Sequence, residues 1–179
     1  VGSEMCIRDS ILVRHEQGAT HAAQGFARVS GEVGVCLVTS GPGATNTITG
    51  IADAMIDSTP IVVIAGQVGT NFLGTDAFQE VDIVGMTRSI TKYGVTVRRR
   101  EDLGKIIKMA FYIAQTGKPG PVLIDIPKDI QTASGPAEYP SHVDIRGYKP
   151  IHGVHIGQLK KAYKMLKSAK KPLILAGGG

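Results

Sequence analysis

The chain has 179 residues, 42% of them hydrophobic and 20% charged, with a formal net charge of +5 at pH 7. That is the balance of a globular chain long enough for one good core, or for one domain and part of another. The charge does not mark a nucleic-acid binder: the basic residues are scattered (98–100, 160–161, 170–171), and 5% aromatic content leaves few stacking platforms.

Residues 1–10, "VGSEMCIRDS", lack the basic start and apolar core of a signal peptide and share no pattern with the rest of the chain, so they read as a leader of doubtful origin. The apolar run "ILV" at 11–13 reads as a strand. "RHEQGATHAAQGFAR" comes next, with Ala19, Ala22, Ala23, Phe26 and Ala27 at helical spacing and Glu16 at the helix mouth. A carboxylate there reads first as a first-turn charge, favoured by about 0.3–1 kcal/mol, with a proton handle for catalysis as the other reading. "VGVCLVT" at 33–39 is the next strand, and Cys36 within it reads as a buried reduced thiol, which suits the cytoplasm. Two cysteines make neither a disulfide framework nor a zinc site, and the histidine pairs 15/21 and 152/155 come without metal-ligand companions.

The turn "VTSGPGATNT" at 38–47 is glycine-rich and lies between strand and helix, where backbone amides cradle phosphates. It has no Gly-Lys-Ser/Thr ending, and Asn46 stands where a dinucleotide fingerprint needs its third glycine. A tight turn capped by Ser40 or Thr45 fits the pattern as well. Ile48, Ile51, Ala52 and Met55 then mark a helix, and "PIVVIAG" at 60–66 a strand. The stretch "GQVGTNFLGTDAFQEVD" at 66–82 is long for a loop after a parallel strand, the place where open α/β sheets bind ligands. Its Phe72, Leu73, Phe78 and Val81 point to a docked loop or an interface. "YGVTV" at 93–97, the helix of Leu103, Ile106, Ile107, Ala110 and Ile113, and "PVLIDIP" at 121–127 complete the alternation. Strands apolar throughout imply a parallel sheet covered on both faces, hence an open α/β fold. The longest apolar runs are far short of the roughly 20 residues of a membrane span. Beyond 127 the texture is that of a linker, followed by a helix with Ile156, Leu159, Tyr163 and Leu166 on one face and a strand "PLILAGGG" opening a second sheet.

Together "RHEQGATHAAQGFAR", "GVCLVTSGPGATNTITGIADA", "DAFQE" and "GPVLIDIPKD" resemble the large catalytic subunit of the acetolactate synthase (acetohydroxyacid synthase) family of thiamine-diphosphate enzymes, from about residue 11 to 179. "RHEQGA" with "SGPGATN" belongs to thiamine-diphosphate enzymes widely; "DAFQE" with "IPKD" favours acetolactate synthase. The resemblance implies a pyrimidine-binding domain over 11–140, truncated at its start, a linker over 141–154, and the start of a central FAD-associated domain over 155–179.

It implies thiamine diphosphate, FAD and Mg2+ as cofactors. The family's Gly-Asp-Gly…Asn motif for metal and diphosphate occurs nowhere in these residues, which places Mg2+ on a domain outside this chain and leaves no metal ligand within it. By the same likeness Glu16 is the catalytic glutamate that hydrogen-bonds the pyrimidine N1′, and Gln79 lies beside the thiamine ring. Val68, Phe78 and Lys128 line the substrate channel. Lys118, where many members have Arg, and Gly177, Gly178 and Gly179 lie near FAD. Gly69 stands where some members have proline. The implied partners are a second copy or three more copies of the catalytic subunit, a small regulatory subunit and 2-oxo acid substrates, with neither nucleic acid nor membrane. The implied activity condenses two pyruvates, or pyruvate and 2-oxobutanoate, with loss of CO2, in branched-chain amino-acid synthesis in the cytoplasm, or in an organelle of a eukaryote. The alternatives are another thiamine-dependent 2-oxo acid decarboxylase or oxidase, and a non-catalytic assembly module.

Overall fold

Helix α1 (Glu16–Ser30) starts at His15, whose Nδ1 accepts the Gln17 amide at 3.1 Å, and ends at Gly31, left-handed at φ 74°. A computed structural model describes residues 10–150 and 153–177. The expected strand at 11–13 is absent: Ile11 and Leu12 are exposed, with no neighbouring strand to receive their backbone groups, and the segment runs straight into the α1 cap.

The buried stripe of α1 is Thr20, Ala23, Gln24 and Ala27, an i, i+3, i+4, i+7 set. Ala22 and Phe26, expected to face inward, are exposed instead. The reason is closeness of approach. A Cβ on Gly34 would lie 2.1 Å from the Ala23 carbonyl oxygen, and one on Gly50 would lie 1.9 Å from Thr20 Oγ1. At such separations only small or polar side chains fit between α1 and its neighbours, and a phenyl ring is turned outward. Gln24 Nε2 donates to Gly50 O at 3.0 Å, and Arg28 pairs with Asp57 at 2.6 Å, tying α1 to the helix that carries Gly50 and ends at Asp57.

Strand β1 (Gly34–Val38) is followed by the short α2 (Pro42–Thr45), α3 (Ile48–Ile56) and β2 (Ile61–Gln67). The second half carries α4 (Ile83–Thr87), β3 (Tyr93–Thr96), α5 (Leu103–Gln115), β4 (Val122–Pro127) and α6 (Lys128–Thr132). All four strands are parallel, in the order β1-β2-β4-β3, with Gly34 opposite Ile61, Val62 opposite Val122 and Tyr93 opposite Val122. The α/β fold expected from the strand–helix alternation is therefore the observed one. The central strands β2 and β4 are almost wholly buried, while edge strand β1 alternates, leaving Val35 and Leu37 exposed on one face. The core joins Ala23, Cys36, Val38, Ile51, Ile61, Val63, Ile83 and Leu123. Cys36 is a free, buried thiol, pushed up to about 11 by burial and then by the Glu16 charge.

Asp125 is the one acid inside β4. It is 2% exposed; Oδ2 accepts from Thr96 Oγ1 at 2.9 Å and from Gln67 Nε2 at 3.2 Å, while Oδ1 is buried without a partner among the described residues. Burial pushes its carboxyl from 3.8 up to about 6; the Thr96 and Gln67 bonds oppose that shift and the Asp82 charge adds to it. An acid whose folded value is raised favours the fold most when neutral. Its contribution is intact below about pH 4 and is lost as pH rises through about 6, to a limit of about 3 kcal/mol. Asp125→Asn removes that titration. Urea midpoints of the variant relative to wild type should therefore climb between pH 4 and 7, and a pH-independent difference would contradict the burial of a titrating group there.

After α6 the chain has no regular structure over 133–150, although Arg100 Nη2 donates to Pro136 O and Lys108 sits 5.3 Å above the Tyr139 ring. One compact unit ends at Ile145 and a second covers residues 146–179. In the second, α7 (Ile156–Ser168) forms, capped by His155, with Ile156, Leu159, Tyr163 and Leu166 exposed. The strand expected from "PLILAGGG" is absent over 172–177: Leu173, Ile174 and Leu175 are exposed, and no strand among the described residues takes their hydrogen bonds. No helix among the described residues is long and apolar enough to cross a membrane.

Candidate functional site

The carboxyl ends of β1, β2 and β4 carry three irregular segments that meet. The first is the turn after β1. Gly41 has φ 62°, and α2 begins there without a side-chain cap, so neither Ser40 nor Thr45 caps it; Thr45 Oγ1 donates back to Pro42 O at 3.2 Å. The second is the 68–82 loop after β2, which contains a 3-10 turn (Thr70–Phe72). The third is the start of α6.

Glu16 faces the first of these. Asn46 Nδ2 donates to Glu16 Oε2 at 3.0 Å, and Oε1 lies 3.6 Å from the point a Cβ on Gly43 would occupy. The Asn46 bond, then the residue's own backbone amide, hold the Glu16 carboxyl below its ordinary range; partial desolvation works against them and His15 with them. Catalytic work would require an apolar surround for this group; in the chain alone Glu16 is only half-buried. Asn46, thirty residues away, is the partner that sequence reasoning missed.

Gln79 closes the same corner. A Cβ on Gly41 would lie 2.9 Å from Gln79 Cβ and 2.9 Å from its carbonyl oxygen, so Gly41 is required both by its left-handed φ and by the loop pressed against it. Gln79 is itself left-handed at φ 62°. The loop is also held from below. Asp129 takes the Thr70 amide at 2.9 Å and the Thr70 hydroxyl at 2.6 Å, and Gln67 Nε2 donates to Val81 O at 2.9 Å. These bonds make it a docked loop, although Phe72 and Phe78 remain exposed. Gly69 has φ −58° and ψ 151°, a conformation proline adopts unaltered.

Val68, half-buried, follows β2 directly, and Lys128, exposed, opens α6, so both stand at the same end of the sheet as Glu16 and Gln79. Lys118 does not: it lies exposed in the turn before β4, at the amino ends of the strands. Gly177 is exposed in the second unit; Gly178 and Gly179 lie outside the described residues. Among the described residues no group of three or more His, Cys, Asp or Glu could hold a metal ion.

A family model described as thiamine pyrophosphate enzyme, N-terminal TPP binding domain, matches residues 7–86, the stretch that carries Glu16, the glycine turn and Gln79. The acetolactate synthase large subunit of Buchnera aphidicola is 55% identical over 173 residues, 96% of this chain. That of Corynebacterium glutamicum is 53% identical over 94% of the chain, and the acetolactate synthase isozyme 3 large subunit of Escherichia coli is 52% identical over 96%. Over nearly its whole length the chain is similar to acetolactate synthase large subunits. It spans 30%, 27% and 30% of the length of these three relatives.

The donor set fits the thiamine pyrimidine. Glu16 Oε1 faces Gly43, 3.6 Å from where a Cβ would stand, and a Cβ there would come 2.6 Å from Thr39 Cγ2, so the backbone beside the carboxylate stays bare. A flat heteroaromatic ring needs this combination of open backbone and one carboxylate. The matched domain model and the bare backbone beside Glu16 point to the same cofactor.

Proposed function

We propose that this chain is the pyrimidine-binding part of an acetolactate synthase large subunit, and that the whole protein joins two pyruvates, or pyruvate and 2-oxobutanoate, into a 2-aceto-2-hydroxy acid with release of CO2. The observation that carries the reading is the placement of Glu16 Oε1 facing Gly43, with Asn46 occupying the other oxygen. When bound, thiamine diphosphate supplies an acidic thiazolium carbon that attacks the carbonyl of a 2-oxo acid and accepts the electrons left by CO2.

Glu16 would share a proton with the pyrimidine N1′ of the bound cofactor and so set the protonation of that ring. Asn46 fixes which oxygen is offered. Gln79, on the clamped loop, borders the ring, and the Lys128 ammonium attracts the carboxylate of the incoming acid. Val68 and Phe78 supply the apolar wall of the channel. The raised proton affinity Glu16 needs comes from covering it, by the ring and by a partner subunit.

Exposed Phe26 and Val29 on α1, Val35 and Leu37 on β1 and Ile56 on α3 support a dimer or tetramer of the catalytic subunit. FAD as a cofactor, Mg2+ on a further domain, and a small regulatory subunit rest on family likeness and on the relatives' designation as large subunits.

The test is product analysis of the full-length protein given pyruvate, thiamine diphosphate, Mg2+ and FAD. One acetolactate per CO2 is expected, lost when thiamine diphosphate is omitted. Acetaldehyde or acetate as the main product would assign a 2-oxo acid decarboxylase or oxidase instead.

A further inference from the structure

Glu80 closes "DAFQE", and neither the family likeness nor the reaction above gives it a task. Its carboxylate is filled from its own loop. Oε1 accepts the Gly74 amide, and Oε2 accepts the Thr75 amide at 3.2 Å and the Ala77 amide at 3.1 Å. The enclosed segment is conformationally expensive. Gly74 is left-handed at φ 82°, Asp76 at 56° and Gln79 at 62°, and the last two carry side chains that disfavour this region by about 1 kcal/mol or more each. A loop so bent needs a fixed acceptor at its centre, since three backbone amides that point inward otherwise repel one another. The Glu80 amide in turn donates to Ala77 O at 2.9 Å, so the acid is locked to the ring it closes.

The bend has a destination. It ends on Gln79, whose backbone presses on Gly41 in the turn whose Gly43 faces Glu16. We propose that Glu80 is a positioning residue: by gathering the amides of Gly74, Thr75 and Ala77 it holds Gln79 against the glycine turn that faces Glu16. The functional half of this proposal rests on the reading of that corner as the thiamine site; the clamp itself does not. The same amides, Gly74 foremost, hold the Glu80 carboxyl below its ordinary range, so the anion required as acceptor is the form present at neutral pH.

The experiment uses the full-length protein with Glu80→Ala and Glu80→Gln. Gln keeps one acceptor oxygen and turns an amide donor toward the remaining backbone donors, so it should fall between wild type and Ala. For Glu80→Ala the half-saturating concentration of thiamine diphosphate should rise about tenfold or more, with kcat at saturating cofactor within about threefold of wild type and an unchanged Tm. Hydrogen exchange at the Gly74, Thr75 and Ala77 amides should be slow in wild type and fast in Glu80→Ala. Fast exchange in wild type would overturn the clamp whatever the enzyme does. Slow exchange with unchanged cofactor saturation in the variants would overturn the positioning role. A wild type with no thiamine-dependent turnover would defeat the site reading and the positioning role together, while the exchange data still reported on the clamp.

Discussion

Glu16→Gln in the full-length enzyme should lower turnover by about 10²–10⁴-fold, the usual size of a general acid–base contribution, with an unchanged Tm. The substitution is nearly isosteric. The Gln carbonyl still accepts from Asn46, so the α1–α2 contact at 3.0 Å survives. What is lost is on the other side: an amide turned toward Gly43 donates to a ring nitrogen but cannot hand over its proton. If Glu16 were only a first-turn charge on α1, turnover would persist and the change would appear as a small loss of stability. Steady-state kinetics and thermal denaturation on the same preparations separate the two.

Gly34→Ala should destabilise the domain by about 3 kcal/mol or more, at the upper end of overpacking, because the new Cβ would meet the Ala23 carbonyl oxygen at 2.1 Å and backbone cannot yield as a side chain does. Against a net stability of about 5–15 kcal/mol, such a loss should leave little soluble protein. Gly25→Ala is the matched control. It lies on α1 with no atom within 4 Å of its Cβ position, and it should stabilise by about 0.5–1 kcal/mol through helix propensity. Equal urea midpoints for the two variants would mean that α1 does not sit this close to β1. The consequence reaches the site, since Glu16 is the first residue of the helix that Gly34 seats.

Periodicity made the parallel sheet readable, because β2 and β4 are covered on both faces and so are apolar at nearly every position. It misjudged segments 11–13 and 172–177, whose apolar residues suit a strand but have no neighbour here to receive their backbone groups. It also rotated α1. Phe26 is the most hydrophobic residue of its run, yet the inward face is set by how near α1 lies to Gly34 and Gly50, which is a property of pairs distant in sequence. The site divides the same way. Glu16 and the glycine turn carry their chemistry in residue type and local order. Asn46, and the contact of Gln79 with Gly41, arise only when β1 and β2 lie side by side. Lys118 stands apart from that corner, in the turn before β4 at the amino ends of the strands.

The most direct test of the central claim, that Glu16 moves a proton at the thiamine ring, is exchange of the thiazolium carbon proton for deuterium, followed by NMR in full-length wild type and Glu16→Gln at saturating thiamine diphosphate and Mg2+. The account predicts rapid exchange in wild type and exchange slower by about 10²–10⁴-fold in the variant, with thermal stability unchanged. Equal exchange rates in the two proteins would contradict it.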